Sequence, residues 1–345
     1  MSDSGNSYPH WLGLLKWSLS QTDPVGAPSD FSAMTAENRA FLDAVMKDLV
    51  KDEPGELQKI LKVFQEMFER GVVREDDEHI LELLQDAQLI VDQIDMANVF
   101  LKFGGAVVLK NILNSDVLSD ACKCTASVIC GELAQNNPVA QIEMLKFGLL
   151  DQLAVLCASP TTSTKLCTKS LYGISCIVRG SRDGEERFCS NLSGPSLLQR
   201  LLQRQDDMCS KRVMFLSNAL VLSDFTSPIR IQSVLSGIVP DIFRYLDSSD
   251  IDTRETCLAL LLSSASSAAG KSVLSPSLLT LQSSLDEKLS NLTDEDDYEK
   301  RIVRDIIHKL SEEVVEESVG APPSGGGTPS SSSLLVLDAP LADAS

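Results

Sequence analysis

Residues able to do chemistry are few in this chain, and their spacing argues against most of it. Nine cysteines, at 122, 124, 130, 157, 167, 176, 189, 209 and 257, could ligate a metal, attack an electrophile or pair as disulfides. Only Cys122-Lys-Cys124 has a spacing close to that of a metal site. It falls in a helical run, where side chains two apart diverge, so no metal site is expected there. The odd count, and neighbours such as Ser127-Val128-Ile129-Cys130, read as buried free thiols in a reducing compartment. His10, His79 and His308 lie far apart and suggest neither a triad nor a metal set. Gly325-Gly-Gly-Thr-Pro lacks the lysine and the strand-to-helix setting of a phosphate loop. The acidic runs Arg74-Glu-Asp-Asp-Glu78 and Asp294-Glu-Asp-Asp297 stand where helices begin. There a carboxylate complements the helix dipole and needs no catalytic role. The expectation is a chain that is not an enzyme and carries no cofactor.

The elements that would position these residues are helical. Of 345 residues, 43% are hydrophobic, 23% charged and only 5% aromatic, a balance that suits aliphatic helix packing better than a β-sandwich. The formal charge is −19, from 30 basic and 49 acidic residues, which disfavours a nucleic-acid partner. No run of about 18 apolar residues spans a bilayer. The first residues, Met1-Ser-Asp-Ser-Gly-Asn-Ser, do not form a secretory leader, so the expected location is the cytoplasm, with the nucleus also open. A monomer is expected.

From residue 96 the chain repeats itself. Leu-Lys-Phe-Gly occurs at 101–104 and again at 145–148, and the apolar anchors Leu109, Leu153, Leu198 and Ile242 are separated by 44, 45 and 44 residues. Each anchor helix is followed by a polar turn and a longer apolar helix, expected at Asp120–Leu133, Thr164–Val178, Cys209–Leu222 and Thr253–Ser266. This is the pattern of armadillo or HEAT repeats. The fold expected is all-α, a right-handed superhelical solenoid with about four central repeats and helical caps, its long helices lining the concave face. The boundaries expected are a flexible N-terminal segment over 1–34, capping helices over 35–95, repeats over 96–270, C-terminal capping helices over 271–315 and a disordered Ser/Gly/Pro-rich tail over 316–345. Within these caps, helices are expected at Leu57–Arg70, Asp76–Ile94, Pro276–Leu289 and Asp294–Val315.

Several segments, taken in order, resemble the armadillo-type nucleotide-exchange factors of 70-kDa heat-shock chaperones. They are Leu14-Leu-Lys-Trp-Ser-Leu19, Met34-Thr-Ala-Glu-Asn-Arg-Ala-Phe-Leu42, Asp95-Met-Ala-Asn98, Gly131-Glu-Leu-Ala-Gln-Asn-Asn137, Leu171-Tyr-Gly-Ile-Ser-Cys-Ile-Val-Arg179 and Ser210-Lys-Arg-Val-Met-Phe-Leu216. Met96 departs from the family's Asp-Asn-Ala element. The resemblance covers roughly residues 11–310. It implies a protein that embraces one lobe of the chaperone's ATPase domain, loosens ADP and thereby promotes substrate release. It also places Ala97, Asn98, Asn136, Asn137, Arg179, Lys211 and Arg212 against the chaperone. The segment containing Leu14, Leu15, Trp17 and Leu19 would mimic an unfolded client in the chaperone's peptide groove, or else pack back as an N-terminal cap. The alternative is an armadillo adaptor that holds an extended peptide of another partner. It is weakened because Trp11 and Trp17 precede the repeats and Asn218 is the one Asn in the four long helices.

Overall fold

The computed structural model describes residues 52–292 and 297–311, together with residues 36, 37, 40 and 41. Residues 11–34, where the client-mimicking segment is expected, and the tail over 316–345 lie outside the described residues, as does most of 35–51.

Among the described residues every regular element is a helix. The first two are α1 (Glu53–Arg70) and α2 (Asp77–Val91). The first repeat follows as α3 (Ile94–Lys102), α4 (Gly105–Asn114) and α5 (Asp120–Ala134). The second is α6 (Pro138–Phe147), α7 (Leu149–Ala158) and α8 (Thr164–Val178). The third is α9 (Arg182–Glu186, prolonged by a π-turn over Arg187–Asn191), α10 (Gly194–Leu202) and α11 (Asp207–Leu222). The fourth is α12 (Pro228–Ser236), α13 (Val239–Ile242) and α14 (Ile251–Ala265). The chain then runs through α15 (Ala268–Leu274), α16 (Leu278–Asn291) and α17 (Asp297–Ser311).

The cutting of the chain into triplets is written in its caps. Each long third helix starts on a side chain that accepts from a backbone N–H three residues on: Ser119, Ser163, Asp206 and Asp250. The first helices of repeats two to four do the same with Asn137, Ser181 and Ser227. Such caps satisfy donors that have no partner inside the helix. Between the first and second helices the chain turns through a left-handed residue. Gly104 (φ 93°) and Gly148 (φ 74°) supply it in the repeated Leu-Lys-Phe-Gly, and Ser193 (φ 53°) stands in the same place one repeat on.

The anchors Leu109, Leu153, Leu198 and Ile242 are each fully buried, so the sequence register is the structural register. The third helices stack in a row, α2 on α5, α5 on α8, α8 on α11, α11 on α14 and α14 on α17. The α5–α8 contact is close enough that a Cβ on Gly173 would stand 2.9 Å from the Ser127 carbonyl oxygen. The far end is fastened by a buried ion pair. Lys288 on α16 reaches Glu299 on α17 (2.8 Å) and donates to the Leu246 carbonyl (2.6 Å), while Arg254 on α14 also reaches Glu299 (3.3 Å).

The helix expected over Asp76–Ile94 is found as α2, and it stops at Val91 because Gln93 is extended (φ −88°, ψ 133°) and the chain turns there into α3. The C-terminal helices expected at Pro276–Leu289 and Asp294–Val315 are found as α16 and α17, with residues 294–296 and 312–315 of the second lying outside the described residues. Asp76 and Asp77 are bonded rather than merely solvated at a helix start. Asp76 accepts from Val73 N (2.9 Å) and pairs with Arg70, and Asp77 accepts from Ser119 N at 2.7 Å.

Candidate functional site: where the third helices meet

Two arginines sit over aromatic rings where α8 faces α11. The Arg212 guanidinium carbon sits 5.0 Å from the centre of the Tyr172 ring, and that of Arg179 sits 4.9 Å from the Phe215 ring. Tyr172 and Arg179 are two turns apart on one side of α8, and Arg212 and Phe215 one turn apart on α11, so each helix contributes one ring and one cation. Stacking of this kind holds a guanidinium in place, and Arg179 Nε also donates to the Ser175 carbonyl at 3.4 Å.

The helix ends brace these residues. Tyr172 Oη donates to Gln135 Oε1 (3.3 Å), and a Cβ on Gly131 would fall 2.2 Å from the Tyr172 ring, so only glycine leaves the ring its seat. Burial pushes the Tyr172 phenol above its ordinary pKa, so it keeps its proton at neutral pH. Gln141 on α6 is 5% exposed and donates through one nitrogen to the carbonyls of Cys176 and Arg179, both at 2.9 Å. These carbonyls belong to the end of α8, where a helix runs out of its own donors.

The sequence-predicted residues separate into two groups. Asn98 and Asn137 meet at the start of the first repeat, with Asn137 Nδ2 donating to Asn98 Oδ1 (3.1 Å), while Asn137 also accepts from Ala140 N to cap α6. Asn136 beside them is exposed and left-handed (φ 52°). Arg179 and Arg212 form the second group on α8 and α11. Ala97 and Lys211 lie apart from both groups. Ala97 is 1% exposed and packs with Phe100 and Leu101 on the buried side of α3, so its side chain is core. Lys211 is turned from Arg212 toward α14, where Asp250 (3.6 Å) and Asp252 (3.3 Å) neutralise it; its side chain is only 12% exposed. Tyr172, Phe215 and Gln141 were missed, although Tyr172 lies inside a recognised segment and its spacing from Arg179 was readable.

All nine cysteines are free thiols, and Cys189 alone is partly exposed. Burial is the largest influence on Cys130 and Cys257, each pushed up to about 12, and on Cys189, raised to about 11. Cys122 and Cys124 are packed into α5, with the Cys122 thiol donating to the Asp77 carbonyl at 3.3 Å.

Comparison with known proteins gives the chain its relatives. A family model described as nucleotide exchange factor Fes1 matches residues 12–100, and one described as the SIL1/FES1/HPBP1 C-terminal domain matches residues 96–227. Nucleotide exchange factor SIL1 of Rattus norvegicus is 31% identical over 124 residues, which is 35% of this chain and 25% of that protein. Sil1 of Drosophila melanogaster is 28% identical over 159 residues, 45% of this chain and 36% of that protein. The matched stretch thus spans between a quarter and about a third of these relatives. Among solved structures, a designed armadillo repeat protein crystallised with a (KR)4 peptide superposes with a TM-score of 0.60 at 14% identity, over 75% of this chain and all of that one. An engineered protein superposes at 0.61 and 14% identity, over 82% of this chain and 66% of its own. These structural likenesses establish an armadillo-like solenoid. With the two family matches adjoining from residue 12 to residue 227, the chain belongs to the armadillo-type nucleotide exchange factor family of Fes1 and SIL1.

Proposed function

We propose that this chain is a non-catalytic nucleotide-exchange co-chaperone. It binds the ATPase domain of a cytosolic 70-kDa heat-shock chaperone through the inner face of α5, α8 and α11 and accelerates ADP release. The observation that carries this reading is the pair of ring-stacked arginines, Arg212 on Tyr172 and Arg179 on Phe215. A chain of net charge −19 here holds two cations close together between α8 and α11, chemistry suited to a partner's carboxylates. Its nine unpaired thiols support a reducing compartment.

The mechanism follows from linkage. ADP bridges both lobes of the chaperone's nucleotide cleft. A protein that prefers the opened cleft must weaken ADP by the same factor by which ADP weakens that protein. The test is calorimetric: affinity for the isolated ATPase domain is measured without nucleotide and with saturating ADP, and compared with the shift in ADP affinity. Equal factors in both directions, and a large loss of affinity in Arg212→Ala, support the reading. Affinity indifferent to ADP refutes it and leaves an adaptor for an extended peptide. The segment holding Leu14, Leu15, Trp17 and Leu19 is assigned to the chaperone's peptide groove. Deleting residues 1–30 should leave ADP release intact and slow release of bound peptide, whereas equal loss of both would remove that assignment.

A further inference from the structure

The long helices run parallel, so their last residues share one edge. Arg254 near the start of α14 meets Glu299 near the start of α17 (3.3 Å). Lys211 near the start of α11 meets Asp252 near the start of α14 (3.3 Å), and further along Ser263 Oγ donates to Asn218 Oδ1 (2.6 Å). On α8 and α11 the order is the same, with Tyr172 against Arg212 and then Arg179 against Phe215. One row of helix ends therefore runs from Arg179 through Leu222 and Ala265 to Ser311. Packed helices lie roughly 10 Å apart, which puts Leu222 about 20 Å and Arg179 about 30 Å from Ser311.

This edge is apolar as well as basic. Phe215, under Arg179, is 43% exposed, and Leu222, two turns later on the same side of α11, is 64% exposed. The chain beyond Ser311 has the complementary chemistry. Residues 312–345 hold Glu312, Glu313, Glu316, Glu317, Asp338 and Asp343 and no lysine, arginine or histidine. They also hold the apolar run Leu334-Leu-Val-Leu337, followed at once by Asp338. Residues 318–333 before that run have the Ser, Gly and Pro composition of a tether. A tether of the roughly 23 residues from Ser311 to Leu334 has a root-mean-square span of about 26 Å, between the distances to Leu222 and to Arg179. The apolar segment over 11–19 carries Lys16 and no carboxylate, the wrong charge for this edge.

We propose that Leu334-Leu-Val-Leu-Asp338 of the same chain docks on this edge, its leucines over Phe215 and Leu222 and Asp338 against Arg179, and competes there with the chaperone. The competition rests on the chaperone-binding reading; the docking does not. Being tethered, the segment needs little affinity of its own. At an effective concentration of about 1 mM, a dissociation constant of about 0.25 mM fills the edge about four-fifths of the time. A partner then meets the open edge about one time in five, and its affinity falls about fivefold.

The test uses the full chain. Amide exchange over residues 334–338 is compared between wild type and Leu222→Ser, an exposed position where the fold has little to lose. It should be about fivefold slower in wild type. A second variant, Leu335→Ser with Leu337→Ser and Asp338→Asn, should bind the nucleotide-free ATPase domain of a cytosolic 70-kDa heat-shock chaperone about fivefold more tightly than wild type. Equal exchange in wild type and Leu222→Ser overturns the docking and leaves the exchange-factor reading standing. Protection that rises with protein concentration places the segment on a second copy and overturns it as well. Slowed exchange with unchanged affinity in the tail variant overturns the competition. Slowed exchange with neither wild type nor tail variant binding the domain keeps the docking and refutes the chaperone reading.

Discussion

Replacing Gln141 with leucine tests whether the end of α8 is held in place by a side chain from the neighbouring helix. The amide is 5% exposed and donates to two carbonyls, Cys176 and Arg179, each at 2.9 Å. In Gln141→Leu the Cys176 carbonyl loses a donor inside the protein, at a cost of about 1–3 kcal/mol. The Arg179 carbonyl lies in a part-buried position where water can replace the amide, so its loss is about 0.5 kcal/mol. The added apolar surface returns about 0.5–1 kcal/mol. The net expectation is a loss of about 2 kcal/mol, read by urea unfolding with far-UV circular dichroism. Gln141→Glu should lose more at neutral pH, because it sets a carboxylate against two carbonyl oxygens. Because Arg179 is the cap of α8 and rests on Phe215, both variants should also weaken chaperone binding at temperatures where the fold is intact. A change below about 0.5 kcal/mol in Gln141→Leu, the range of an ordinary surface substitution, would refute the bracing role.

Further expectations follow from the same contacts. Gly131→Ala places a Cβ 2.2 Å from the Tyr172 ring, so the ring must move and Arg212 loses its seat; a stability loss of about 1–3 kcal/mol and weaker chaperone binding are expected by unfolding and calorimetry. Lys288→Met leaves Glu299 buried without its nearest cation and should loosen α16 and α17 ahead of the repeats, seen as early amide exchange confined to those helices. Under native conditions an aromatic disulfide reagent should modify Cys189 first and the eight buried thiols only at the rate of opening; rapid labelling of several thiols would contradict the packing. Burial gives Glu132 a folded pKa above its unfolded value, so it burdens the fold once pH exceeds the unfolded value. The burden grows until pH passes the folded one. Glu132→Gln should therefore be at least as stable as wild type at neutral pH, with the difference vanishing in acid; a variant less stable at neutral pH would contradict the cost assigned to that carboxylate.

The repeat frame was legible because its signals are local and recur. Leu-Lys-Phe-Gly, the buried anchors near every 44th residue and the Ser or Asp caps each encode one turn or one helix start. The surroundings of the residues expected at a partner were legible only in part. The resemblance set Ala97 against the chaperone, while Ala97, Phe100 and Leu101 have the spacing of a buried helical stripe and are buried together. Lys211 and Arg212 are neighbours in sequence but about 100° apart around α11. Which of them meets a partner depends on Asp250 and Asp252, some forty residues on, which no local pattern reveals.

The central claim is tested most directly by stopped-flow release of a fluorescent ADP from a cytosolic 70-kDa heat-shock chaperone, with and without this protein. A large acceleration that saturates with concentration, and that falls away in Arg212→Ala while helicity is unchanged, is the predicted result. Release at the unassisted rate in the presence of a fully helical, saturating protein would contradict the account.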